Sequence, residues 1–182
     1  MHQELYAQCT INLALTTQAP LLVRSVQADA DGGDSYRALH PMSGRPQYCI
    51  PATTLKGVWR SGIERILRTF DPALACDPFA QKGPTSGCSH RLQRGNPASV
   101  YAALCPACRL FGSTAHSGLV RIQDAWAPLA TKPMETVGIA IDRFVGSAKT
   151  GAIYTIHPLP AGVTFPVTLT LNNPDWWHLG LL

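Results

Sequence analysis

From Asp71 to Ser99 the chain holds four prolines, three glycines and two cysteines, with no apolar periodicity. So long an irregular segment is rare inside a compact domain unless something ties it down. A tie is available nearby: Cys105-Pro106-Ala107-Cys108 is a C-x2-C knuckle, and Cys76 and Cys88 lie upstream of it. Two thiolates two residues apart can share a tetrahedral metal ion, and two further ligands close a structural zinc site. His90, in Cys88-Ser89-His90, competes with Cys76 for the fourth place. Bound Zn2+ would supply the ordering energy that this segment cannot obtain from packing. Two other readings stay open. The thiols are small buried groups, or Cys105 and Cys108 form a redox dithiol, which needs a strand just before it and a helix just after. Tyr101 to Leu104 makes a poor strand, and Gly112 interrupts the segment behind the knuckle. Cys9 and Cys49 sit apart and read as core.

The rest of the composition fits a folded domain. Of 182 residues 46% are apolar and 14% charged, enough for a core and too few charges for a disordered tail. No apolar run reaches the roughly 18 residues of a membrane helix, which predicts a soluble protein. Met1-His2-Gln3-Glu4 lacks the basic start of a secretory signal. Six cysteines without such a signal predict a cytoplasmic location, where clustered thiols bind metal or react more often than they form bridges. A net charge of +4 permits a polyanionic partner without demanding one.

Periodicity divides the chain. Residues 7–15 alternate as a half-buried strand, and Pro20 to Val26 suggest a short second one. Residues 27–47, with three aspartates and three glycines, read as a polar loop. Leu55, Val58, Trp59, Gly62, Ile63, Ile66, Leu67 and Phe70 recur every three or four residues, predicting a helix from Thr54 to Phe70. Thr53 or Thr54 can cap it, and Asp71-Pro72 ends it. Strands are expected at 119–126 and 163–171, and as a pair over 136–156 joined by a basic tip from Arg143 to Gly151. The order predicts an α+β fold with an antiparallel sheet. At the end, Asp175 to Leu182 reads like the start of an apolar helix in a chain cut short.

Lys56 and Arg60 stand in the first turns of the predicted helix, with no acid before Glu64. Cations there oppose the helix dipole by roughly 0.3–1 kcal/mol each. An anion at the site would explain them, since helix starts bind phosphate; a solvated polar face is the other explanation. Their surroundings add to this. Ile50-Pro51-Ala52-Thr53-Thr54-Leu55-Lys56-Gly57-Val58-Trp59-Arg60 resembles the "IPGSSLKGxxR" signature of CRISPR-associated RAMP-superfamily proteins. In particular it looks like the backbone subunits of type III effector complexes. Cys105 to Gly112 resembles that family's "CxxCxLFG" element, and Leu119 to Ala125 is similar to its "GRLxxxDA" strand. Val137 to Arg143 looks like the "xxxxIDR" hairpin, and Leu159 to Phe165 is similar to "VPxGxxF". The blocks keep the family's order across residues 34–171. The chain departs from it at Ala52, where a glycine is usual, at two threonines in place of serines, and in lacking the "GxxxxRGxG" segment.

The resemblance implies one RAMP domain over residues 1–182, with a modified RRM-like, ferredoxin-type antiparallel sheet. A zinc-stapled insertion would occupy about 71–112 and a β-hairpin thumb about 134–160, with the C-terminal part missing from a truncated, split or fused subunit. The insertion resembles that of the type III-D and III-E branches, with Cys76, Cys88, Cys105 and Cys108 as zinc ligands. Lys56 and Arg60 would grip guide-RNA phosphates, with Arg109, Arg121, Arg143 and Lys149 as further contacts. Sequence choice would fall to guide–target pairing. Partners implied are guide RNA (crRNA), target RNA and other RAMP subunits or repeats, in antiviral defence. Asp34 sits about where such subunits carry a catalytic aspartate that cleaves target RNA with Mg2+ or Mn2+. Asp29 and Asp31 compete for that role, and loop solvation is the alternative reading of all three. Three functions therefore stay open: an RNA-guided backbone subunit with endoribonuclease activity, an inactive structural RNA-binding subunit, or a thiol–disulfide oxidoreductase using Cys105 and Cys108.

Overall fold

A computed structural model describes residues 4–24, 35–80, 82–83, 86–92 and 96–182. The fold is mixed α+β, and all named strand pairs are antiparallel. The chain forms two compact units, one of residues 1–12, 52–123 and 168–182, the other of residues 13–51 and 124–167. The boundaries between them fall inside two long strands, β1 (Gln8–Thr16) and β10 (Thr164–Asn172).

The first unit is built on helix α1, Ala52–Phe70. It begins two residues before the predicted start and ends where Asp71-Pro72 stops it; Asp71 then caps the 3-10 turn Pro72–Leu74 by accepting from the Ala73 amide at 2.8 Å. The segment expected to be irregular contains α2 (Cys88–Arg91) and α3 (Pro97–Ala103), followed by α4 (Pro106–Phe111). Asn96 caps α3 with a proline in its first turn, a start signal that composition alone obscured. A small hairpin, β4 (Gly112–Ser113) with β5 (His116–Ser117), leads into β6 (Val120–Ile122). Strand β6 pairs with β10, which also lies beside β1. Leu169 and Leu171 of β10, Val120 of β6 and Ile63 and Leu67 of α1 share one core with the four clustered cysteines, Leu110 and Phe111. The alternation expected over 163–171 is present: Phe165, Val167, Leu169 and Leu171 are all buried. Burying such a side chain contributes about 1.5–3 kcal/mol. Helix α5 (Trp176–Gly180) carries a capping box between Asp175 and His178.

The second unit corrects part of the polar-loop expectation. Strands β2 (Arg37–Leu39) and β3 (Pro46–Ile50) form a hairpin, with Gly44 at φ 63° in its turn. Cross-strand pairing satisfies a backbone whose side chains are too polar to announce a strand. Strand β3 also pairs with β7 (Ala125–Trp126), so the strand predicted over 119–126 is two strands in separate sheets. Pro20 to Val26 yields only single bridges, Leu21 to Leu159 and Arg24 to Ser35; Ser25 and Val26 lie outside the described residues. The expected hairpin is β8 (Thr136–Ile141) with β9 (Ala148–Ile156), carrying a bulge between Ile139 and Ile141. Its tip turns on Asp142, whose carboxylate accepts from the amides of Phe144 at 2.8 Å and Val145 at 3.2 Å.

Candidate metal centre and nucleic-acid interface

Three short segments bring four thiols together. Cys76 follows the 3-10 turn, Cys88 opens α2, and Cys105 and Cys108 cap and line the first turn of α4. Their sulfurs all lie within 4.8 Å of one another, and Cys76 and Cys108 are 3.6 Å apart. All four cysteines are buried and unbridged. Around a metal with sulfur bonds of about 2.3 Å, tetrahedral edges measure about 3.8 Å, so these residues fit such an ion. The fourth thiol of the cluster is that of Cys76, while His90 is exposed. Amide groups aim at the sulfurs, Cys88 N–H to Cys76 Sγ and Cys105 N–H to Cys88 Sγ, each at 3.4 Å. Hydrogen bonds from Cys105 and Cys108 hold the Cys88 thiol far below its ordinary range. Its contacts with Cys105 and Cys88, and then burial, push Cys108 up, and burial raises Cys76 to about 11. A divalent cation would let all four ionise together.

The oxidoreductase reading meets one of its two conditions, a helix (α4) just after Cys105, but lacks the other. Helix α3, not a strand, precedes Cys105, and both thiols of the knuckle are enclosed with two others. Cys49 is buried as core, its thiol raised to about 11 by burial and then by Asp124, while Cys9 is half-buried against the core.

The basic residues divide into inward and outward sets. Lys56 is half-buried, donates to the Val120 carbonyl at 3.3 Å, and has its pKa lowered by burial and then by Arg60. Arg60 donates from Nε to Glu64 at 2.7 Å, from Nη1 to the Gly112 carbonyl at 3.0 Å, and from Nη2 to Cys108 Sγ at 3.3 Å. Burial pulls its pKa down, but Glu64 and Cys108 more than offset this and leave it raised. Arg109 closes the end of α3, donating to the carbonyls of Tyr101, Leu104 and Ala102. Arg121 on β6 and Arg143 at the hairpin tip are exposed. Lys149 lies in β9 with its side chain outside the described residues, as are Asp34, Asp29 and Asp31 entirely.

Three residues that no sequence motif singles out join the centre. Glu64, only 7% exposed, also receives Arg68 Nη2 at 3.2 Å. Arg68 donates further to the carbonyls of Ala75 at 3.2 Å and Cys76 at 2.6 Å. Arg91 Nη2 lies 3.5 Å from Cys88 Sγ. The spacing Arg60, Glu64, Arg68 is a legible i, i+4, i+8 ladder. Two glycines bring the following strands close: a Cβ on Gly118 would sit 2.4 Å from the Phe111 carbonyl carbon, and Gly112 has φ 94°.

Among the described residues no helix is long and apolar enough to cross a membrane. A search of curated proteins found no match to the chain. Residues 15–181 match the family model of the RAMP superfamily. That match spans nearly the whole chain, with the cysteine centre, α1 and the β8–β9 hairpin inside it, and the protein belongs to the RAMP superfamily.

Proposed function

We propose that this protein is a guide-RNA-binding backbone subunit of a type III CRISPR effector, of the zinc-containing III-D or III-E kind. RAMP membership points to CRISPR-associated RNA binding and to crRNA and effector subunits as partners, and it is the observation that carries the reading. The β8–β9 hairpin suits a thumb lying across guide and target: Arg143 is exposed at its tip, and Phe144 beside it is 101% exposed. Arg121, also exposed, suits a backbone contact that carries affinity without reading sequence. Lys56 and Lys149 belong to the same proposed set, while the bonds made by Arg60 and Arg109 favour structural roles for those two. Zn2+ on Cys76, Cys88, Cys105 and Cys108 would cross-link the insertion over 71–112 within one RRM-like domain of a cytoplasmic defence complex.

For catalysis the proposal rests on Asp34, whose carboxylate would bind Mg2+ or Mn2+ or help deprotonate the ribose 2′-hydroxyl, leaving 2′,3′-cyclic phosphate ends. The test begins by purifying the full chain with its genomic neighbours co-expressed and sequencing the RNA that accompanies it. Discrete RNAs with a constant repeat-derived tag are expected; no RNA, or bulk cellular RNA, would overturn the reading. With guide bound, an Asp34→Ala complex that cleaves target as fast as the parent would show that Asp34 is not the catalyst.

A further inference from the structure

We propose that Arg60 and Arg91 are the charge-balancing donors of the cysteine centre, and that Glu64 and Arg68 are positioning residues that hold Arg60 on it. The proposal rests on the metal reading of the four cysteines. Four thiolates around a divalent ion carry two net negative charges, and all four cysteines are buried. Charge enclosed in this way is costly unless paired and hydrogen-bonded. Among the described residues two guanidinium groups reach the sulfurs, Arg60 at Cys108 and Arg91 at Cys88, and they come from different helices. Each supplies one positive charge, so the pair neutralises the centre.

Glu64 explains the choice of Arg60. Its buried carboxylate takes Arg60 on one oxygen and Arg68 on the other, so the three charges form one ladder along α1. Both ends of that ladder grip ligand residues: Arg60 meets the Cys108 sulfur, and Arg68 the Cys76 carbonyl. The ladder is one charge positive, and with Arg91 it matches the two negative charges of a filled centre. A helix-start arginine that looks available to RNA is thereby committed to the metal, and α1 is coupled to the centre through Arg60 and Arg68. Outer groups that orient metal ligands typically change metal affinity 10- to 100-fold when removed.

The test uses the full chain loaded with Zn2+, as parent, Arg60→Met, Arg60→Lys, Arg91→Met, Glu64→Gln and Arg65→Met, the last an exposed control on α1. Metal per chain is measured by elemental analysis, and zinc transfer to a chromophoric chelator by its rate. In Co2+-loaded samples the sulfur-to-metal charge-transfer band reports hydrogen bonding at the thiolates. Arg60→Met and Arg91→Met are expected to transfer zinc about 10- to 100-fold faster and to shift the band. Glu64→Gln should fall between them and the parent, Arg60→Lys should recover part of the loss, and Arg65→Met should match the parent. Parent-like rates and an unmoved band in both Met variants would overturn the proposal. If Arg60→Met fails to fold, Arg91→Met decides, because that side chain lies at the surface. A parent chain that binds no metal would instead remove the metal reading itself, and the proposal with it.

Discussion

Two glycine-to-alanine substitutions should move stability in opposite directions. At Gly118 an added methyl would lie 2.4 Å from the Phe111 carbonyl carbon, 2.5 Å from its oxygen and 2.6 Å from the Gly112 nitrogen. Carbon contacts settle near 3.5–4.0 Å, so the two backbones must part by about 1 Å. Every colliding atom is backbone, and none can rotate aside. Overpacking costs about 1–3 kcal/mol in general, and Gly118→Ala belongs at the upper end, near 3 kcal/mol. For a chain of this size each kcal/mol lowers Tm by about 2–4 °C, giving a drop of about 6–12 °C. Gly57 is the counterpart: it sits inside α1 with nothing within 4 Å of its would-be Cβ. Alanine there should stabilise by about 0.5–1 kcal/mol and raise Tm by about 1–4 °C. Far-UV circular dichroism melts at matched metal content measure both. If Gly118→Ala melts within about 2 °C of the parent, the close approach of the Phe111–Gly112 and Gly118 backbones does not set the stability of this unit.

Acid should weaken the C-terminal helix. His178 accepts the Asp175 amide on Nδ1 at 2.9 Å and is buried, and burial holds its pKa below the ordinary 6.5. The unfolded chain then binds the proton first, so stability is full above about pH 6.5 and declines as pH falls toward the lowered folded value. Urea midpoints measured across that range should show the decline in the parent, and a flatter profile in His178→Gln. Chelation of the purified chain should open the segment between Asp71 and Cys105 to limited proteolysis while β10 stays protected; an unchanged cleavage pattern would count against a metal staple. In the RNA-bound complex, Arg143→Glu should lower affinity and flatten the salt dependence by about 0.7 for each phosphate no longer neutralised; an unchanged slope would take the hairpin tip off the RNA.

What the sequence disclosed tracked the strength of each local signal. The period-two run of β10 and the three- and four-residue spacing of α1 place bulky apolar side chains on one face, and both elements appear where that pattern put them. The β2–β3 hairpin was hidden because its strands are short and bracket His40-Pro41-Met42-Ser43-Gly44, which reads only as punctuation. All four clustered cysteines were nameable from the sequence, with His90 as a competitor for the place of Cys76; what spacing could not supply is that the four sulfurs converge while His90 is exposed. The role of Arg60 was obscured for another reason. A motif makes a basic residue at a helix start look like a phosphate ligand, and its partners at Gly112 and Cys108 are about 50 residues away, beyond any local pattern.

The cysteine centre also has a place in time. The last cysteine of the cluster, Cys108, leaves the ribosome about 60 residues before Leu169 and Leu171, which share its core. At about 5–20 residues per second that interval lasts about 3–12 s. For that interval the thiols, with the residues of α1 and α4 already synthesised, lack the strand that later helps enclose them. Whatever reaches the nascent chain first, a metal ion or an oxidant, meets an open cluster. If zinc fills the centre, the yield of well-folded protein should therefore follow the zinc available during synthesis more closely than zinc added to the finished chain.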